Sequence, residues 1–390
     1  MQIFQDFLDQ SKRLNQAPKS NNKNIQLQGP NQQYSAVYYG LSVPNLPAPL
    51  HYLNFISWLG QPKISVFQNA YCIKTTELDT ATVMSSISAH MIGQFQNYSL
   101  KNDCQLKDVA IHFGVKESIV GHTDTFSIQR EDSELSFNLD IQATEIKSCL
   151  TKLRLGLAEY WSVLSHCEGQ IKYQNQIYEI NQLAALSYAQ FSKFSYLPLA
   201  FFTQQIINLS QQRQIVLVQT RDRYNNILSS RLYLRDFKNK KVLMMDQNVH
   251  FKIQRVYPIV KTPNLQKMYL PREFEWICHN DQMQIYIQAQ SRGDFKFGLG
   301  AGYAGSFNFQ IKINDEIENG EGGYCEYVDC RPLSWQEKNH KDKLMDKFGH
   351  AVPFMLKKIE KNHVLVEKIN KRGIFYKKLE KRCCVGLEML

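Results

Sequence analysis

The feature that most constrains this chain is a hydrophobic alternation with a period of two. Phe126 and Ile128, then Leu135, Phe137, Leu139 and Ile141, fall on one face of two runs joined by Arg130-Glu131-Asp132-Ser133. That is the pattern of a half-buried antiparallel hairpin. Ile215 to Val218, Ile227 to Leu234, Val242 to Met245 and Val249 to Val256 follow at short spacing with polar turns between them, which predicts a meander and not a βαβ alternation. Later, Met283, Ile285, Ile287 and Ala289 alternate with glutamines and Tyr286, and Phe307, Phe309, Ile311 and Ile313 alternate with Asn308, Gln310, Lys312 and Asn314. The chain therefore reads as all-β and mainly antiparallel. Its 22 Phe and 20 Tyr beside 4 Trp agree, because aromatic rings fit a pleated surface.

Residues 1–33 read as an N-terminal amphipathic helix carrying Phe4, Phe7, Leu8 and Leu14, followed by a polar arm. The remainder divides into β-rich halves, 34–190 and 191–335, with Gln182 to Phe194 fitting either a helix or irregular chain. Residues 336–390 form a basic extension, in which Trp335 to Phe348 reads as a charged helix and His363 to Leu379 as a hairpin. Many short strands in two sets favour barrels or sandwiches, since closure removes exposed edges.

The formal charge of +10 suggests a polyanion partner until it is located. Residues 336–390 hold 14 Lys and Arg against 7 Asp and Glu, a net of +7, which leaves +3 for everything else. No nucleic-acid motif accompanies that charge, so no nucleic-acid partner is expected. Weak peripheral membrane contact through the basic C-terminal segment is the one surface partner it suggests. Acidic residues near Met1 and the absence of an apolar h-region argue against a signal peptide. The longest apolar run, Leu197 to Phe202, is far short of the roughly 20 residues of a membrane helix. Nine scattered cysteines, an odd number with an adjacent Cys383-Cys384 pair, fit reduced thiols and a cytoplasmic location.

Gly300-Ala301-Gly302-Tyr303-Ala304-Gly305 matches the dinucleotide pattern GxGxxG, but that motif must open a helix. Here Ser306 to Asn314 alternate as a strand, so the glycines predict a tight turn or a close backbone approach. No CxxC pair or HExxH offers metal ligands, no GxSxG elbow offers an acyl-transfer serine, and no cofactor is implied. The densest segment is Glu321-Gly322-Gly323-Tyr324-Cys325-Glu326-Tyr327-Val328-Asp329-Cys330-Arg331. As a strand it turns Tyr324, Glu326 and Val328 one way and Cys325, Tyr327 and Asp329 the other. A carboxyl turned into an apolar interior has a raised pKa and can act as a general acid, whereas one paired with Arg331 is structural. Glu326, Asp329 and Asp124 are the candidate acids. Tyr160, Trp161, Tyr303, Tyr324, Tyr327 and Arg331 are the candidate ligand-binding residues.

Glu159-Tyr160-Trp161-Ser162, Cys167-Glu168-Gly169-Gln170-Ile171-Lys172-Tyr173, Arg213-Gln214-Ile215-Val216-Leu217-Val218 and the Glu321 to Arg331 segment together resemble an uncharacterised bacterial family related to the AttH and hydroxyneurosporene synthase group, in the lipocalin-like calycin clan. The resemblance spans about residues 34–335. It implies two lipocalin-like β-barrels or half-barrels packed together, with an apolar cavity in at least one. It also implies a hydrophobic small molecule, such as a lipid or isoprenoid, as the partner. Two functions follow: binding of that molecule, or a metal-free hydratase, cyclase or isomerase acting on it. An enzyme should bury an ionisable group against the cavity, and a carrier need not.

Overall fold

The computed structural model describes residues 9–16, 25–193 and 197–338, and almost all of its regular structure is antiparallel sheet. Eleven strands form the first sheet: β1 (Tyr34–Pro44), β2 (Tyr52–Leu59), β3 (Thr80–Ile87), β4 (Phe95–Ser99), β5 (Cys104–Lys107), β6 (Ala110–Phe113), β7 (Glu117–His122), β8 (Thr125–Arg130), β9 (Leu135–Lys152), β10 (Ala158–Tyr173) and β11 (Gln176–Ser192). Neighbours in sequence pair throughout, except that β1 pairs with β11 and so makes β4 and β5 the two edges. Those edges are joined by the turn after Ser99, where the Asp103 amide donates to the Ser99 carbonyl at 2.8 Å.

The second sheet holds β12 (Phe201–Leu209), β13 (Arg213–Arg221), β14 (Ile227–Asp236), β15 (Lys241–Met245) and β16 (Val249–Val256). After the small ribbon of β17 (Val260–Lys261) and β18 (Lys267–Met268) it continues through β19 (Pro271–His279), β20 (Gln284–Ser291), β21 (Lys296–Leu299), β22 (Gly302–Ile313) and β23 (Glu316–Asp329). Its strand order is 15-14-13-12-23-22-20-19-16, with β21 beside β22. The expected meander over residues 215–256 thus holds through β15 and then breaks, because β16 pairs with β19 at the opposite edge. Short turns join the edges, so both sheets curl: one is a nearly closed barrel and the other a half-barrel. The two-barrel all-β architecture is the one the resemblance implied.

Apolar side chains fill three layers. Leu41, Phe55, Phe113, Leu139 and Ile171 lie inside the first sheet, Leu217, Phe251, Trp276 and Phe307 inside the second, and Trp58, Ala185, Phe202, Val218 and Val328 between the two. Strands that meet the middle layer are buried on both faces: every residue of β2, β3 and β12 is buried. This explains Gln182 to Phe194, which is neither helical nor irregular up to Ser192 but forms the second half of β11. Ala184 and Leu186 face the first interior while Ala185 and Ala189 face the second sheet, and a strand apolar on both faces has no period-two signal. Polar side chains also cross the layer. Asn208 donates to the Leu183 carbonyl at 2.7 Å, Tyr233 to the Cys149 carbonyl at 2.9 Å, and Arg235 to the Ser162 carbonyl at 3.0 Å.

Of the N-terminal helix, α1 (Ser11–Gln16) is described. The positions of Phe4, Phe7 and Leu8 lie outside the described residues, as do the expected C-terminal helix beyond residue 338, the hairpin and the basic membrane-contact segment. Among the described residues no helix is long and apolar enough to cross a membrane.

Candidate functional site

The alternation of β23 falls as its sequence predicts: Tyr324 and Val328 join the layer between the sheets, and Cys325 and Tyr327 join the second sheet's interior. Glu326 goes with the first pair and is buried. It lines a small cavity between the sheets with Tyr38 and Trp58 of the first sheet's β1 and β2, Tyr160 of β10, Ala189 and Phe191 of β11, Phe202 of β12, and Phe67 and Leu299. The cavity measures about 10 Å³, room for about one water molecule. Tyr324 donates to Glu326 Oε1 at 3.0 Å, and Tyr160 donates to Gln204 Oε1 at 3.0 Å. Tyr38 stands edge-on to Tyr160 with ring centroids 5.9 Å apart.

Burial pushes the Glu326 carboxyl up to about 7, against the opposing pull of the Tyr324 hydrogen bond. Burial, reinforced by the Glu326 charge, holds the phenols of Tyr38, Tyr160 and Tyr324 well above their ordinary range. Near neutral pH the Glu326 carboxyl is therefore close to its midpoint, and the three phenols stay protonated.

The cavity is covered by the connection between β2 and β3. Phe67 packs at 5.5 Å on Trp58 and 5.1 Å on Phe202, the Ala301 amide donates to the Val66 carbonyl at 3.2 Å, and Ser65 Oγ donates to the Leu199 carbonyl at 2.6 Å. The glycine-rich segment explains itself here. Gly300 has φ +52°, and a β-carbon on it would sit 2.6 Å from the Phe67 Cα, so the glycines serve a close backbone approach. Gly300→Ala is expected to cost about 1–3 kcal/mol in equilibrium denaturation, and a neutral effect would contradict this contact.

The opposite face of β23 has another character. Arg331 clasps Asp329 through Nε at 2.9 Å and Nη2 at 2.7 Å, and also binds Glu337 at 2.6 Å, while Arg221 reaches Glu337 at 2.6 Å. Both guanidinium groups lie over the Phe201 ring, at 4.6 and 5.0 Å from its centroid. Tyr327 donates to Asp329 Oδ2 at 3.4 Å. Burial pushes Asp329 up and the Arg331 pairing pulls it down, while the same carboxylates hold the Arg331 guanidinium firmly charged. Two cations against two carboxylates make a closed structural cluster.

The structure thus brings together Glu326, Tyr160 and Tyr324 on one side of β23, and Asp329, Tyr327 and Arg331 on the other. It leaves three candidates outside both groups. Asp124 is exposed in the turn between β7 and β8, so it does not face an apolar interior. Trp161 packs against the first interior and donates to Glu159 Oε1 at 2.6 Å. Tyr303 is half-buried against Phe297 at 5.6 Å. Sequence reasoning missed Tyr38, Trp58, Phe67, Phe191, Phe202 and Gln204. The signal for most of them was a strand with no wholly polar face, since β1, β2 and β12 carry apolar residues on both faces, which marks double burial; Phe67, in the connection between β2 and β3, carried none. Among the described residues no group of three or more His, Cys, Asp or Glu is placed to hold a metal ion.

A family model described as DUF6670, a family of unknown function, matches residues 56–342. The chain is similar in fold to a Nitrosomonas europaea protein provisionally called AttH, with a TM-score of 0.54 and 14% identity over 80% of this chain and 99% of that one. A looser likeness, with a TM-score of 0.49 and 11% identity, joins 81% of it to 97% of kievitone hydratase from Nectria haematococca. No curated protein matches the chain.

Proposed function

This chain belongs to the DUF6670 family, and from that premise we propose that it handles a hydrophobic small molecule in the aromatic cavity between its sheets, with Glu326 as a general acid–base. The observation that carries the reading is the placement of a carboxyl poised at about 7 in a wall otherwise made of aromatic and aliphatic side chains. Burying such a group costs stability, and a carrier for an apolar ligand has no use for it. A protonated Glu326 would deliver its proton to a substrate double bond or oxygen and recover it in a later step. Tyr324 fixes the carboxyl through Oε1, and the Tyr160 hydroxyl, held by Gln204, offers a polar contact in the cavity wall. The reaction class is proton transfer on a weakly polar substrate: hydration, cyclisation or isomerisation.

Entry requires the Ile64–Phe67 cover to move, because the closed cavity has room for little more than a water molecule. Titration with a hydrophobic fluorescent probe tests this. Phe67→Leu, which trims the cover, is expected to bind the probe several-fold more tightly than the wild type. Equal affinities would place probe binding elsewhere. The carrier reading uses the same cavity and is separated from the enzyme by Glu326→Gln, which a carrier should tolerate without change in its task.

A further inference from the structure

Glu326 is one end of a continuous chain of buried hydrogen bonds whose other end is Lys296 in β21. Lys296 Nζ donates to the Tyr52 hydroxyl at 3.2 Å, which meets Ser86 Oγ at 3.1 Å. Ser86 Oγ donates to Asn54 Oδ1 at 2.8 Å, and Asn54 Nδ2 donates to the Tyr324 hydroxyl at 3.1 Å. Tyr324 completes the path to Glu326 Oε1 at 3.0 Å. The path leaves the second sheet, crosses β2 and β3 of the first, and returns to β23. None of its six side chains belongs to a residue more than 2% exposed.

Proton bookkeeping fixes its direction. An ammonium only donates. The Ser86 amide donates to Asn54 Oδ1 at 2.9 Å, so the oxygen end of that side chain faces Ser86, and the serine's one proton is committed to it. Tyr52 must therefore donate to Ser86. The amide end of Asn54 faces Tyr324, whose proton is free for the carboxylate. Every link points from the cation to the acid, and links aligned in one sense reinforce each other.

Lys296 has no carboxylate bonded to it. Its other donors meet the main-chain carbonyls of Ser88 at 3.0 Å and Asp294 at 2.8 Å, while the Asp294 carboxylate is held by Ser306 through N at 2.8 Å and Oγ at 2.6 Å. The Tyr52 ring lies 5.4 Å from Nζ.

We infer that Lys296 is a positioning residue for Glu326, sustaining the charge and the orientation of that carboxylate from a distance through the directed chain. The inference rests on the reading of Glu326 as the ionisable group of the site. Other groups bear on the two ends. Tyr38, Tyr160 and Tyr324 face Glu326, from β1, β10 and β23. Asp294 and Tyr52 face Lys296, and His90 senses its charge. Burial lowers Lys296 to about 8, so the cation persists at the pH where Glu326 titrates.

The test is the ionisation of Glu326 in the full chain without ligand, read from the infrared carboxyl band that Glu326→Gln removes. Lys296→Met is expected to lower its ionisation constant about three- to tenfold, moving the midpoint upward. Ser86→Ala breaks one link while keeping both ionisable groups and should move it the same way, whereas Ser86→Thr keeps the hydroxyl and should restore it. The Lys296→Met/Ser86→Ala double variant should move it no further than Lys296→Met alone. An unmoved midpoint in Ser86→Ala, or shifts that add in the double variant, overturns the inference. If Lys296→Met does not fold, the two Ser86 variants decide it. Since no substrate is present, a failed relay leaves the reading of the cavity standing, and a failed search for a ligand leaves this measurement valid.

Discussion

Arg331→Met is expected to destabilise the folded chain by about 3–5 kcal/mol. The Arg331 side chain is fully buried and answers both Asp329, also fully buried, and Glu337. Methionine keeps the aliphatic stem and drops the guanidinium, so the space left over the Phe201 ring adds to the cost. Most of it would come from leaving two carboxylates in a dry environment with only Arg221 nearby, since a charge stranded by loss of its partner pays its full desolvation penalty. Denaturant unfolding monitored by tryptophan fluorescence measures this directly. A loss under about 1 kcal/mol, the range of an exposed pair, would show that the cluster is solvated and not a buried clasp.

Glu326→Gln should do the opposite to stability while removing activity. The carboxyl titrates near 7 in the folded chain and near 4.5 when unfolded. Below about 4.5 it is protonated in both states and exerts no pH-dependent effect. Between 4.5 and 7 the unfolded chain gives up its proton first, so stability falls as pH rises. Above 7 the penalty levels off at about 3 kcal/mol. Glutamine keeps the shape, accepts the Tyr324 hydrogen bond and carries no charge. The variant should therefore match the wild type near pH 4 and exceed it by about 3 kcal/mol at pH 8. Turnover of a substrate, once one is in hand, should fall by about a hundred- to ten-thousand-fold. Identical pH–stability curves for the two proteins would mean that Glu326 is solvated and the site is not built as described.

What was legible in the sequence divides along a physical line. Strands with one wet face, such as β8, β20 and β22, announced themselves by alternation, and β23 even gave the correct facing of Tyr324, Glu326, Tyr327 and Asp329. Strands of the middle layer did not. Gln182 to Ser192 looked ambiguous because Ala184, Ala185, Leu186 and Ala189 are apolar on both faces, and that double burial is what makes the strand central. The same cause hid Tyr38, Trp58 and Phe202, which line the cavity from strands with no polar face to contrast with. Tyr160 was a candidate in its own right, but its grouping with Glu326 was not legible for another reason: Asn54 and Tyr160 come from elements more than 160 positions away, and only the packing of the two sheets brings them to β23. Asp329 and Arg331 illustrate the converse, since a carboxyl and a guanidinium two positions apart already favoured a structural pair over a catalytic acid, and Phe201, Arg221 and Glu337 close round them.

The central claim, that the cavity between the sheets takes a hydrophobic small molecule, is tested most directly by native mass spectrometry of the full chain purified from its own host, with organic extraction to identify what leaves. The account predicts a stoichiometric apolar molecule that a folded Ala189→Val variant, whose two added methyl groups narrow the cavity, retains much less well. A chain that is empty and also ignores hydrophobic fluorescent probes, or a ligand held equally by the folded Ala189→Val variant, would contradict it.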